Sequence, residues 1–410
     1  MTPSRPTHLL QRLCAIAGAL AIAGITACTP PPKPQAPPAP PPAPTQAHTF
    51  AKHPLTGDQP GFVRLSNTPA GRVPVRVGVL LPFSNGSAAT RNLAKALMNA
   101  AQLAMFDARN PDILLLPKDE GSTPGEAASA ARMLISEGAE VIVGPLFAQS
   151  VMAVAPVARD HAVPVIAFST DRAVGGNGVY LLSYQPESEV RRVISYAVAH
   201  GHANFAGIIP RTAYGDRVLA AFKGEAAGAK VNLRAIVRFD PGATDLAQTA
   251  SDASKSGADA ILIAQGGTQL AALAVLLGPT HPQLLGTGLW AERSLLKETT
   301  LAGGWFAAPP PRADANFEEH YRATFGAAPP QLAPLAYDAI SLVAALAHGA
   351  PYRRFTDAAL LDPNGFSGVT GVFRFNADGS CDRGLAILAV TPEGFGVVDP
   401  APRSFQAPAS

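Results

Sequence analysis

From Val73 onward, short runs of apolar residues alternate with amphipathic helical patterns, and this alternation limits the chain to one class of fold. The expected strands are residues 75–81, 113–116, 141–143, 163–168, 179–182, 205–209, 233–239, 260–264 and 284–285. Helical patterns lie between most of them, at 93–108, 125–137, 187–199, 216–227 and 245–256. Thr123-Pro124-Gly125-Glu126 opens one helix with a capping residue, a proline suited to the first helical position and a glutamate that can reach back. Strands that are apolar throughout are buried on both faces, so the sheets are mainly parallel and the chain is doubly wound α/β. One such sheet needs about six strands. Nearly twice that number is present, which predicts two α/β lobes with a cleft between them. Antiparallel strands are expected near the end, at 371–375, 385–390 and 395–398.

Composition narrows the function. Hydrophobic residues make up 47% and charged residues 15%, enough to bury a sizeable core and too apolar for wholesale disorder. The net charge of +2 supplies no whole-chain field for nucleic acid. Three cysteines, Cys14, Cys28 and Cys381, exclude a disulfide framework and a four-cysteine zinc site. Cys381, in a Gly-rich turn, reads as an inert thiol.

The first 27 residues read as an address. Arg5 and Arg12 form a positive region, followed by an uncharged run from Cys14 to Ala27. Its 14 residues rise about 21 Å as a helix, short of a ~30 Å hydrocarbon core, as in a signal peptide. Ile25-Thr26-Ala27-Cys28 resembles the bacterial lipobox, which implies lipidation of Cys28 and cleavage before it. Thr29 is not the aspartate of an inner-membrane retention signal, so the periplasmic face of an outer membrane is the expected location. Residues 29–48 contain ten prolines in twenty positions. Such a segment favours polyproline II at ~3.1 Å per residue and would lift a domain about 60 Å off a membrane. The expected organisation is a signal peptide at 1–27, then lipidated Cys28 and a Pro-rich linker to 72. The first lobe follows at 73–184, the second at 185–306, and a return to the first at 307–355. Strands of the second lobe at 356–398 and a tail at 399–410 complete it.

In parallel sheets ligands bind beyond the carboxyl ends of the strands. Three loops of the first lobe sit at equivalent exits: Pro82-Phe83-Ser84-Asn85-Gly86, Gly144-Pro145-Leu146-Phe147-Ala148-Gln149-Ser150 and Phe168-Ser169-Thr170-Asp171. Their hydroxyls, amides and free N–H groups at a helix start suit an anion or carboxylate.

The segments "VRVGVLLPFS", "AEVIVGPLFAQSV", "VPVIAFST", "TAYGDR", "GADAILIAQGG" and "LAYDAISL" resemble the type I periplasmic binding fold of the Leu/Ile/Val-binding proteins. The resemblance runs from about Val73 to Val398, and "LLGTGLWAERSL" and "LAGGWFAAPPP" look most like the penicillin-binding protein activator branch. It implies ligand-site positions at Ala148, Ser169, Thr170, Asp171 and Tyr214, to which the strand-exit loops add Ser84 and Gln149. Trp290 is a further candidate, as an aromatic face or as hydrophobic packing. The serine that holds a ligand carboxylate in amino-acid binders is Ala148 here. The acid that pairs with a ligand ammonium falls on Gly288, and Asp171 places a negative charge where a carboxylate would sit. These departures point away from leucine-type binding.

No G-x-S-x-G, H-E-x-x-H or Walker-type loop occurs. Gly286-Thr287-Gly288-Leu289-Trp290-Ala291 matches a dinucleotide fingerprint only formally, without the acidic residue that should follow. His200 and His202 flank a glycine stop at a helix end. Asp119-Glu120 and Glu187/Glu189 read as solvated loop and helix-start positions. No cofactor, metal or catalytic activity is expected. Two functions remain: an envelope lipoprotein that activates a penicillin-binding protein, and a substrate-binding lipoprotein that delivers an amino acid to an ABC permease.

Overall fold

In the first lobe the apolar strands pair at once into a single sheet. A computed structural model describes residues 61–67, 74–109, 112–311, 315–351 and 353–405, all within one unit that spans His48–Ser410. The signal peptide, Cys28 and the Pro-rich segment lie outside the described residues. The sheet comprises β1 (Val63–Arg64), β2 (Val75–Leu81), β3 (Ile113–Asp119), β4 (Val141–Val143), β5 (Val165–Ala167) and β6 (Val179–Leu181). Their order is β1-β3-β2-β4-β5-β6, parallel except for β1. Side chains alternate across it as the two-residue period of a strand requires. Val75, Val77, Val79 and Leu81 face one core with α1 (Ala88–Ala108). Leu80, Leu114 and Ile142 face the other, under α2 (Pro124–Ser136) and α3 (Ala148–Asp160). The capping box at the start of α2 is formed by Thr123 and Glu126.

The second lobe repeats the plan. It contains α4 (Pro186–Ala199), β7 (Asn204–Pro210), α5 (Ala213–Ala229), β8 (Asn232–Phe239), α6 (Ala247–Ser254), β9 (Ala260–Ile263), α7 (Gly267–Leu277), β10 (Gln283–Gly286) and β11 (Trp305–Ala308). Neighbouring strands among β7 to β11 are parallel. Helices α4 and α5 cover one face, α6 and α7 the other.

The chain then returns to the first core through α8 (Ala315–Phe325) and α9 (Ala333–Leu346), which pack with α1. A short α10 (Asp357–Leu360) precedes a separate antiparallel sheet of β12 (Phe366–Gly368), β13 (Gly371–Phe375) and β14 (Cys381–Arg383). The expectation carried all of 356–398 with the second lobe. Instead Phe373, Phe375 and Cys381 point into the first core, Leu181 N–H donates to the Gly379 carbonyl at 2.8 Å, and Tyr180 donates to Asp357 at 2.6 Å. Only β15 (Ala386–Thr391) and β16 (Gly394–Asp399) extend the second sheet, antiparallel, to the order β16-β15-β11-β10-β9-β7-β8. The chain therefore passes between the two sheets three times: from β6 to α4, from β11 to α8, and from β14 to β15.

Candidate functional site

The carboxyl end of the first sheet is shaped by Gly144. Its φ is +96°, and a β-carbon there would stand 2.0 Å from the Leu80 carbonyl oxygen, so only glycine lets the chain leave β4 along this path. The N–H groups beyond it do form an anion cradle, but the chain fills that cradle itself. Glu120, 1% exposed, accepts the Leu146 N–H at 3.1 Å. Burial pushes its carboxyl up to about 7, against hydrogen bonds from Leu146, Ser150 and Phe147. Glu120 is thus not a solvated loop residue. Ser84 is exposed, and its N–H donates to Asp119 Oδ1 at 3.2 Å. Ala148 packs partly on the core beneath α3, while Gln149 in the same turn is exposed.

At the exit of β5, the Ser169 hydroxyl accepts the Asp171 N–H at 3.1 Å, and Asp171 Oδ1 accepts the Ala173 N–H at 3.1 Å. Arg217 reaches this loop from α5 in the other lobe. Its Nη2 donates to Thr170 Oγ1 at 2.9 Å, and its Nη1 lies 3.8 Å from Asp171 Oδ1. The charge of Asp171 is answered by the chain's own guanidinium.

Tyr214 stands one helical turn before Arg217. Its hydroxyl donates to Thr287 Oγ1 at 2.7 Å, on the loop that follows β10. The next N–H, of Gly288, donates to Glu189 Oε2 at 3.0 Å, and the Gly288 carbonyl accepts from Gln331 Nε2 of the first lobe at 3.3 Å. A β-carbon on Gly288 would lie 2.6 Å from Glu189 Oε1. The space beside Gly288 is therefore taken by a carboxyl group from α4. Glu189 is 6% exposed, which overturns its reading as a solvated helix-start residue. Burial pushes its carboxyl up to about 8; Glu187 adds to the shift and the Gly288 hydrogen bond opposes it. Burial, with Glu189 beside it, also raises the Tyr214 hydroxyl above its ordinary value.

Trp290 does not line the cleft. It is fully buried in the second core, with its ring against Gly286 and its indole N–H donating to the Ile263 carbonyl at 3.2 Å. Packing is its role, as expected of a large apolar ring whose polar tip finds a partner.

Of the expected residues, then, Thr170, Asp171 and Tyr214 are drawn together through Arg217, with Ser169 beside them. Ser84, Ala148 and Gln149 share the first lobe's strand-exit edge. The sequence assigned no site role to Arg217, Thr287 or Gln331, and Glu189 read as solvated. A signal for Glu189 existed: it falls on the buried stripe of α4 with Pro186, Val190, Val193, Ile194 and Ala197. Nearby, the buried atoms Ser183 Oγ, Gln185 Nε2, Glu187 Oε2 and Arg217 Nε have no hydrogen-bond partner among the described residues. Cys381 is buried, and burial pushes its thiol up to about 12, the inert state expected of it. Among the described residues no helix is long and apolar enough to cross a membrane.

Three passages between two doubly wound sheets, with polar groups facing across them, describe a binding-protein architecture. The sequence profile of periplasmic binding proteins matches residues 74–394. The chain belongs to that family. Among solved structures, the periplasmic binding protein fold is shared with a putative branched-chain amino acid ABC transporter protein from Rhodospirillum rubrum. That pair is 17% identical, with a TM-score of 0.73, covering 80% of this chain and 100% of the other. A branched-chain amino acid ABC transporter ligand-binding protein from Burkholderia xenovorans aligns at 19% identity and TM-score 0.67, covering 80% and 96%. A leucine-binding protein from Thermotoga maritima aligns at 19% and 0.59, covering 80% and 98%. No curated protein matches in sequence.

Proposed function

We propose that this periplasmic binding protein is a non-enzymatic, lipid-anchored envelope protein that holds a small solute between its lobes and acts on a penicillin-binding protein. The observation that carries the solute is the clasped cleft. Arg217 ties the second lobe to Thr170 and Asp171 of the first, and where the chain passes from β6 into α4 buried polar atoms of Ser183, Gln185 and Glu187 have no hydrogen-bond partner among the described residues. Buried hydrogen-bonding groups cost free energy until a ligand or water meets them. The partner is argued from sequence: a lipobox cysteine at Cys28, no retention aspartate at Thr29, and a Pro-rich stalk long enough to cross part of the periplasm.

The test is affinity purification from envelope membranes. Co-purification of a peptidoglycan synthase that weakens when residues 29–48 are deleted supports the reading. Cys28→Ala should release the protein from the outer-membrane fraction. Quantitative retention there, with no lipid on the wild type by mass spectrometry, removes the anchor.

A second reading, delivery of a solute to an ABC permease, is favoured by structural neighbours that are branched-chain amino acid ABC transporter proteins. Loss of solute uptake in a deletion strain, with a permease and no synthase in the purified complex, makes that reading the right one.

A further inference from the structure

We infer that residues 400–405 form a strap that crosses from the second lobe to the first and brakes bending at the third passage between them, at Gly384. The inference stands apart from the solute reading, because it concerns how the lobes move and not what the cleft takes. The segment lies beyond residues 74–394, the part matched by the family profile, so it is read from this chain's own contacts.

At its start the strap is fixed to the second lobe. Arg192 on α4 donates from Nη2 to Asp399 Oδ2 at 2.6 Å and to the Pro400 carbonyl at 3.4 Å. Ala401 packs on the second core. At its end the strap is seated on the small antiparallel sheet of the first lobe. The Phe405 ring is half-buried, with the Arg374 guanidinium of β13 4.6 Å from its centroid, a cation–π contact. Asp382 of β14 accepts from Nε and Nη2 of that guanidinium at 3.2 and 3.0 Å, which fixes its plane. A β-carbon on Gly365 would stand 2.9 Å from Phe405 Cδ2, so the ring takes room that a side chain there would need. The chain from Asp399 to Phe405 reaches about 20 Å at full extension. With both ends held, the lobes separate along this line only within that length.

Between its ends the strap covers a pivot. Arg383 is held in the first lobe, where its Nη1 donates to Thr370 Oγ1 at 2.7 Å and its guanidinium lies over the Phe373 ring. Two residues later the Leu385 carbonyl accepts from Arg192 Nε of the second lobe at 2.9 Å. Gly384 stands between these fixed points, with its N–H on the Val372 carbonyl at 2.9 Å. Hinges concentrate their φ/ψ change in a few such residues, so bending at this passage falls on Gly384. A β-carbon there would lie 2.8 Å from Val372 Cγ2 and 3.0 Å from the Pro402 carbonyl oxygen. Glycine lets the tail pass this close, and the tail in turn encloses the glycine against Val372. Rotation at Gly384 must push Pro402 aside, and Asp399 and Phe405 anchor the strap on either side of it.

The experiment is amide hydrogen exchange on the wild type, Phe405→Ala, Phe405→Tyr and a chain ending at Asp399, with small-angle scattering on Arg217→Ala and Arg217→Ala/Phe405→Ala. Exchange at residues 383–386 should rise about tenfold or more in Phe405→Ala and in the shortened chain, while the core strands β2 and β9 keep their protection. Phe405→Tyr retains a ring over Arg374 and should exchange as the wild type does. The double variant should have a larger radius of gyration than Arg217→Ala alone. Absence of the local rise in either Phe405→Ala or the shortened chain overturns the inference. A rise of equal size in β2 and β9 also overturns it, because that marks general destabilisation and not a freed pivot. So does a Phe405→Tyr protein that exchanges like Phe405→Ala, or a double variant with the radius of Arg217→Ala. Each of these outcomes leaves the solute reading where it stood.

Discussion

Glu189 and Gly288, 99 residues apart, form one unit: the carboxyl group accepts the glycine's N–H at 3.0 Å and stands where a side chain on that glycine would be. The two positions exclude one another sterically, so a cycle of substitutions should expose their coupling. Gly288→Ala should cost about 1–2 kcal/mol in the wild type, because the Glu189 carboxyl must shift within a packed site. In a Glu189→Ala background the same change should be nearly neutral. Urea unfolding of the four proteins measures the difference, and additive effects would show that the contact is idle.

Two buried carboxyls give the protein a pH dependence of a definite sign. Glu189 is raised from 4.5 to about 8 and Glu120 from 4.5 to about 7 in the folded state. A raised acid binds its proton more tightly when folded, so its stabilising contribution is full below the unfolded value and is lost as pH climbs through the folded one. Wild-type stability relative to Glu189→Gln should therefore fall between about pH 4.5 and 8, on the order of a few kcal/mol in total. Glu120→Gln should show the same trend, ending near pH 7. Denaturant melts at pH 5, 7 and 8.5 test this, and a difference that stays flat or rises with pH contradicts it.

Arg217→Ala should open the clasp with little loss of stability. Its ion pair with Asp171 is long and part-exposed, and pairs of that kind contribute about 0–1 kcal/mol. Small-angle scattering should show a larger radius of gyration than the wild type in the absence of ligand. An unchanged radius would mean that other contacts hold the lobes.

Trp290→Ala should behave as a core deletion, at a cost of about 3–5 kcal/mol, because the ring is fully buried over Gly286. Trp290→Phe should recover part of that stability while solute binding stays at the wild-type level. A Trp290→Phe protein of native stability that loses the solute would place the ring in the binding site after all.

The α/β class and the two lobes were legible in the amino acids because they depend on local pattern. Runs such as Val141-Ile142-Val143 can be buried only as strands covered on both faces, and the capping box at Thr123 is contained within four residues. Contacts across long stretches of chain were not legible in that way. Residues 356–398 read as strands of the second lobe, yet 366–383 join the first core, because Phe373 and Phe375 find their packing partners there. The helix-start cradle at Leu146 had the right chemistry for a ligand, but Glu120, 26 residues earlier, occupies it. Position 288 reads as lacking an acid, and only tertiary structure brings the Glu189 carboxyl group beside it. Sequence spacing specifies which face of an element a side chain is on; which distant carboxyl shares that space is decided by how the elements pack.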